Sequence, residues 1–161
     1  MSLSSSFFNA VHMEYKVSWL RKINATLWMF LAWFAPLNCL RVFFHRLRGV
    51  KIGKGVFIGW YCIFDNVHPE LITIEDNVAV AANSVILTHE DYMPTALGLS
   101  QSVIKPVRIK KGAKLAINVM VLPGVTIGEN ALIGANIVVS KDIPDNTLVV
   151  DSRKIMMVPI K

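Results

Sequence analysis

The chain has 161 residues, a formal net charge of +6 and 53% apolar residues, which suits one domain with a small appendage. Its two cysteines, Cys39 and Cys62, exclude a disulfide framework and a cysteine metal site, and fit a reducing, cytoplasmic compartment. The basic residues fall into groups at 41–54, 105–114 and 153–154, with no aromatic-and-basic nucleic-acid motif, so phosphorylated ligands or lipid headgroups suit them better than nucleic acid.

Met1–Ser6 is polar and lacks the basic start of a secretory signal. A helix is expected from about Tyr15 to Phe34, ended by Pro36. The apolar stretch Ala25–Leu37 is broken by Thr26 and Pro36 and falls short of the ~20 residues that span a bilayer. Asn38 is placed to cap a second helix. Leu40, Phe43, Phe44 and Leu47 share one face of it, Arg41, His45 and Arg48 the polar face, and Gly49 provides a left-handed stop. Residues 1–48 are therefore expected to cap the end of the domain that follows. Peripheral contact with the inner face of a membrane through the same residues is a second expectation, and both can hold at once.

From Val50 a six-residue beat takes over. Ile52, Ile58 and Phe64, then Ile74, Val80 and Ile86, then Ile109, Leu115, Val121, Ile127, Ile133 and Val139 recur at that interval. Neither a helix nor an alternating strand spaces apolar residues this way, so the repeat itself dictates the fold. Three such units close one triangular coil. Three residues after a ladder position stands one that tolerates left-handed angles: Gly55, Asn77, Asn83, Gly112, Asn118, Gly124, Asn130, Asn136 or Asp142. One residue later comes a small or β-branched residue expected to point inward, namely Val56, Cys62, Val78, Ser84, Ala113, Val119, Val125 or Ala131. The result is an all-β solenoid over 49–161. Two interruptions break it: extra residues around His68 and Pro69, and an excursion over about 89–106.

The segments Leu122-Pro-Gly-Val-Thr-Ile-Gly-Glu-Asn130, Ile133-Gly-Ala-Asn-Ile-Val-Val-Ser-Lys-Asp-Ile-Pro144 and Gly49-Val-Lys-Ile-Gly-Lys-Gly55 resemble the hexapeptide-repeat acyltransferases, nearest to those that acetylate sugar and polysaccharide hydroxyls. The resemblance implies a left-handed parallel β-helix, assembly as a homotrimer, acetyl-coenzyme A as donor, and no metal. The left hand comes from the resemblance alone, since the usual crossover rule gives the reverse.

His89, in Leu87-Thr-His-Glu-Asp91, stands at the corner where the chain leaves for the excursion. An imidazole titrates near neutrality and can take a proton from a hydroxyl; the resemblance gives the histidine here that role, in a cleft between subunits. A corner-capping hydrogen bond is its structural alternative. Asp65, Glu90 or Asp91, or a carbonyl, could fix the second ring nitrogen. The resemblance also places Asp65 against the acceptor sugar, with a turn-forming role as the alternative. Trp60 and Tyr61 could stack on a sugar or form a subunit contact, and Glu90 joins the acceptor side. By match, Ala116, Ile117, Ala135, Ser140 and Lys141 line the coenzyme path, Lys141 as a phosphate partner; Arg153 and Lys154, outside the match, could add direct phosphate contacts. Two departures stand out: Lys114-Leu-Ala116 replaces Trp-Ile-Gly, and Asp151-Ser-Arg153 replaces Gly-x-Pro.

The reading is an acetyl-coenzyme A-dependent O-acetyltransferase acting on a sugar or glycan hydroxyl, with His89 as base. N-acetylation of an amino sugar and a non-catalytic coil protein with a decayed donor groove are the alternatives. A zinc site of three converging histidines is rejected, since only His68 and His89 lie in the repeats. His12 falls in the tail and His45 on the polar helix face.

Overall fold

The structure, a computed structural model, describes residues 19–91 and 103–151, without the side chains of 19–22. Expectations that fall on His12, on most of the excursion, and on Arg153 and Lys154 lie outside the described residues.

The six-residue beat folds as a triangular prism. Strands β1 (Lys51–Ile52), β4 (Ile72–Ile74), β9 (Val107–Ile109) and β12 (Thr126–Ile127) stack in parallel on one side. β2 (Phe57–Ile58), β5 (Ala79–Val80), β10 (Lys114–Leu115), β13 (Leu132–Ile133) and β15 (Leu148–Val149) form the second side. The third holds β3 (Ile63–Phe64), β6 (Val85–Ile86), β11 (Met120–Val121) and β14 (Val138–Val139). Each two-residue strand turns one residue in and one out, so the pairing Ile58↔Val80, Phe64↔Ile86 and Val121↔Val139 stacks ladder on ladder. The ladder residues are buried throughout, except Ile52 at the first rung, which is partly buried. The eight residues expected to point inward after the corners are buried as well.

The corners follow the same logic. Asn77, Asn83, Asn118, Asn130 and Asn136 take positive φ, as do Gly55, Gly112 and Gly124. At Gly112 the reason is double: φ is +73°, and an added Cβ would lie 2.3 Å from Asn130 Oδ1 in the next coil. Asp142 departs from expectation. It is absent from the left-handed set and instead accepts the Thr126 amide at 2.7 Å. Tyr61 and Asn146 occupy left-handed corners that the residue-type rule passed over.

Two helices cover the first coil: α1 (Trp19–Phe34) and α2 (Asn38–Leu47). Trp28 stacks on Phe44 between them, ring centroids 5.8 Å apart. Gly49, at φ +104°, provides the expected left-handed stop. Asn38 does not cap α2; its side chain donates to Val56 O and accepts the Ile58 amide, while Leu37 takes the cap position.

The polar face of α2 is the one that points inward. Arg41, His45 and Arg48 are buried against the prism, whereas Leu40, Phe43 and Leu47 are exposed. The first coil has no coil before it, so its carbonyls need donors from elsewhere. A guanidinium is donor-only and forked, which makes it a good substitute for a missing strand. Arg41 Nε donates to Ile58 O at 2.7 Å, and Arg48 Nη2 donates to Phe64 O and Asp65 O at 2.8 and 3.0 Å. Burial pulls Arg48 down to about 10, with Asp65 opposing. His45 lies over Phe64, centroids 4.4 Å apart, and burial with the nearby Arg48 lowers it to about 3. The hairpin is a cap, held on by its basic face.

Candidate active site

Both interruptions of the repeat leave from the third side of the prism, one coil apart. After Phe64 the chain makes a detour through a 3-10 turn, Pro69–Leu71. After Ile86, one coil above, it leaves as β7 (His89–Glu90), which pairs antiparallel with β8 (Val103–Ile104) on its return. Asp65, His68 and His89 therefore share one corner.

Asp65 organises it. Its Oδ1 accepts the amides of Val67 and His68, and its Oδ2 accepts those of Thr88 and His89. Oδ2 also lies 2.5 Å from His89 Nδ1. Asp65 is 1% exposed. Burial alone would raise its carboxyl, but the bonds to His89, His68 and Thr88 outweigh that and hold it well below the usual carboxylate range. It thus remains a carboxylate, an acceptor only, so Nδ1 of His89 carries the hydrogen and the neutral ring's lone pair lies on Nε2. The bond to Asp65 raises His89, against the lowering effect of burial, and the charges of Asp65 and Asp91 add to the rise.

The His89 side chain is 19% exposed, neither sealed in the prism nor fully solvated. Its ring sits edge-on to that of His68, centroids 6.2 Å apart, and the His68 carbonyl accepts the Thr88 hydroxyl at 3.1 Å. This arrangement can take a proton at Nε2 and stabilise the resulting imidazolium through Asp65.

Asp65, expected on the acceptor side, has both carboxylate oxygens bonded and no exposed side-chain surface in this chain, an arrangement that suits positioning of His89. Glu90 follows on β7, and strand alternation directs it away from His89. Trp60 and Tyr61 are half-exposed but stand at a different corner, next to the helical cap: Arg41 lies over the Trp60 ring and Tyr61 meets Phe34. Ala116, Ile117 and Ala135 continue that same edge in later coils, where Asn118 donates to Asn136 across the stack at 2.7 Å. Ser140 and Lys141, both exposed, lie on the His89 edge beyond β14. Within this chain, then, the residues assigned to the site lie along two edges of the prism.

Sequence reasoning missed two contributors. Arg48, assigned only to the polar face of its helix, donates to the carbonyl of Asp65. His68, named as part of the first interruption, stands beside His89; the shared rung of the two interruptions was the signal that could have found it. Cys62 is the buried hydrophobe expected of it, its thiol pushed up to about 11 by burial. Among the described residues, no cluster of three or more His, Cys, Asp or Glu could hold a metal ion.

Residues 106–141 match the family described as bacterial transferase hexapeptide (six repeats), and residues 49–88 match the hexapeptide repeat of succinyl-transferase. The chain belongs to the hexapeptide-repeat transferase family. A family member from Schizosaccharomyces pombe, provisionally named an acetyltransferase, is 40% identical over 106 residues, 64% of this chain and 49% of its own length. The galactoside O-acetyltransferase of Escherichia coli is 30% identical over 118 residues, 73% of this chain and 55% of its own. The chain thus spans about half the length of these curated relatives.

Among solved hexapeptide-repeat structures, a maltose O-acetyltransferase from Clostridium difficile superposes with a TM-score of 0.59 at 27% identity, covering 80% of both chains. A Vibrio cholerae hexapeptide-repeat acetyltransferase complexed with acetyl-coenzyme A gives 0.63 at 23% identity, covering 80% of this chain and 81% of that one. The fold is the family's left-handed parallel β-helix, as expected from the repeat and the resemblance.

Proposed function

We propose that this chain is an acetyl-coenzyme A-dependent O-acetyltransferase acting on a hydroxyl of a sugar or glycan. The observation that carries the reading is the Asp65–His89 pair, set at the corner where the coil opens into its ribbon. Its support from outside the chain is the likeness to galactoside and maltose O-acetyltransferases.

In this mechanism His89 Nε2 accepts the acceptor hydroxyl's proton as that oxygen attacks the thioester carbonyl carbon. The carbon–sulfur bond then breaks, and the imidazolium returns its proton to the departing thiolate. Asp65 holds the ring and balances its transient charge. Ala116 and Ala135 keep the later coils of their edge narrow, which suits a slender pantetheine arm, with Ile117 beside it and Lys141 as a phosphate partner.

Because Ala116, Ile117 and Ala135 lie on a different edge of the prism from His89, while Ser140 and Lys141 share the His89 edge, an edge from a second copy is needed to bring the whole donor path to the base. We therefore include a homotrimer in the proposal, with the cleft between protomers as the site. Trp60 and Tyr61 are then placed to meet either a sugar or the neighbouring subunit.

The test is coenzyme A release from acetyl-coenzyme A in the presence of a panel of sugars and capsule oligosaccharides. Acceptor-dependent release with a product cleaved by hydroxylamine, as an ester is, supports the proposal. A hydroxylamine-resistant amide would move the activity to N-acetylation. Absence of coenzyme A binding by calorimetry would make the chain a non-catalytic coil protein.

A further inference from the structure

The helical hairpin leaves an apolar face uncovered. On α1, Leu27, Phe30 and Phe34 stand at positions i, i+3 and i+7; on α2, Leu40, Phe43 and Leu47 repeat that spacing. All six are exposed, and Phe34 is 65% so. A stripe of this kind on a packed helix normally faces the core. Here the core-facing job is done by Arg41, His45 and Arg48, bonded to the first coil, so the apolar stripe has been turned outward. Contiguous exposed apolar surface of this sort marks a docking face.

Charge identifies what docks. Between Glu14 and Asp65 the chain carries eight Lys or Arg and no Asp or Glu, whereas the rest carries nine basic against eleven acidic residues. The whole net positive charge therefore resides in and around the hairpin. Arg41 and Arg48 are consumed by the cap, but Arg46, Lys51 and Lys54 are exposed. Arg46 is held by the carbonyls of Ile52 and Gly53, which sets its guanidinium beside the segment bearing those two lysines. Glu75 and Asp76 of the next coil lie beside Lys51 and Lys54 and offset part of this charge. Within the stretch itself no carboxylate opposes it, and a second copy of the same stretch would be repelled. An anionic surface would be attracted, and among the described residues no helix is long and apolar enough to cross a membrane.

We propose that this hairpin seats the protein on an anionic membrane surface, its apolar stripe lying in the headgroup boundary and its exposed cations against acidic lipid. This does not rest on the proposed activity. It does place a glycan carried on a membrane lipid within reach of such an enzyme.

The experiment is flotation of the 161-residue chain with phosphatidylcholine vesicles, with and without phosphatidylglycerol. The parent protein is expected to float with the anionic vesicles, and its bound fraction to fall about tenfold on neutral ones or in L27E/L47E. K51E/K54E, which leaves the apolar stripe intact, should lose binding to anionic vesicles selectively. Circular dichroism and sedimentation are run on each variant. A parent protein that stays unbound, or an L27E/L47E variant that floats equally well, overturns the proposal. So does an L27E/L47E variant that sediments as a smaller species, because the stripe would then be covered by a second copy.

Discussion

The carboxylate of Asp65 reaches one coil up the solenoid to His89 Nδ1 while holding the amides of both chain segments that leave the prism at that corner. One buried side chain thus closes two detours and sets a tautomer. Each of its oxygens accepts at least two bonds, so the carboxylate is fixed before any substrate arrives. That is the preorganisation a general base requires.

Replacing Asp65 with Asn should separate orientation from charge. Asp65 raises His89, and the base works only when neutral, so the acid limb of kcat/KM should lie above the ordinary imidazole value of 6.5. In Asp65→Asn that limb should move to lower pH, with the plateau reduced about tenfold to a hundredfold. A pH–rate profile with an unmoved limb would show that the pair is only structural.

The hairpin's grip on the coil should reside in its buried cations. Arg48→Met strands the carbonyls of Phe64 and Asp65 and should destabilise the fold by about 2–4 kcal/mol. Arg46→Ala removes only an exposed contact and should change stability by less than about 1 kcal/mol. Urea unfolding of both variants provides the comparison; equal losses would contradict the assignment of Arg48.

Corner asparagines should respond to substitution by conformation more than by contact. Asn130 sits at φ 53° and donates to Asn146 in the next coil at 3.3 Å. Asn130→Ala should lower stability by about 1–2 kcal/mol, and Asn130→Gly by less, because glycine accepts the left-handed angle freely. Thermal melts in which glycine is the worse replacement would refute this.

Two histidines should bend the stability curve in opposite directions. His45 is lowered to about 3, so below 6.5 the unfolded chain binds a proton that the folded chain refuses, and stability falls with pH. His89 is raised, so its contribution is fully present below 6.5 and is lost as pH climbs through its folded value. The lowered Asp65 contributes above 3.8 and loses that as pH falls through its folded value. The Asp65–His89 pair therefore stabilises most between about 3.8 and about 6.5. His45→Gln should flatten the acid decline, and melting temperatures measured across that range report it directly.

The prism was legible because each rung obeys a local rule that the global fold also needs. Ile58, Phe64, Val80 and Ile86 had no alternative to burial once the six-residue period was read. Tyr61 shows where residue type misleads: it occupies a left-handed corner because its place in the coil demands it, against its own preference. The orientation of the hairpin was not legible, for a different reason. Leu40 and Phe43 opposite Arg41 and Arg48 imply an inward apolar face under ordinary partitioning, but an uncapped coil end presents carbonyls, and carbonyls select guanidinium over leucine. His89 was found through its position, whereas Arg48 and His68 belong to its surroundings only through contacts between coils.

The most direct measurement is acetyl transfer by His89→Ala, made beside coenzyme A binding and sedimentation of the same variant. Turnover should fall about a hundredfold or more, with donor affinity and assembly unchanged. An alanine variant that acetylates at near-parental rate would remove the imidazole from the chemistry and leave Asp65 holding no more than a corner.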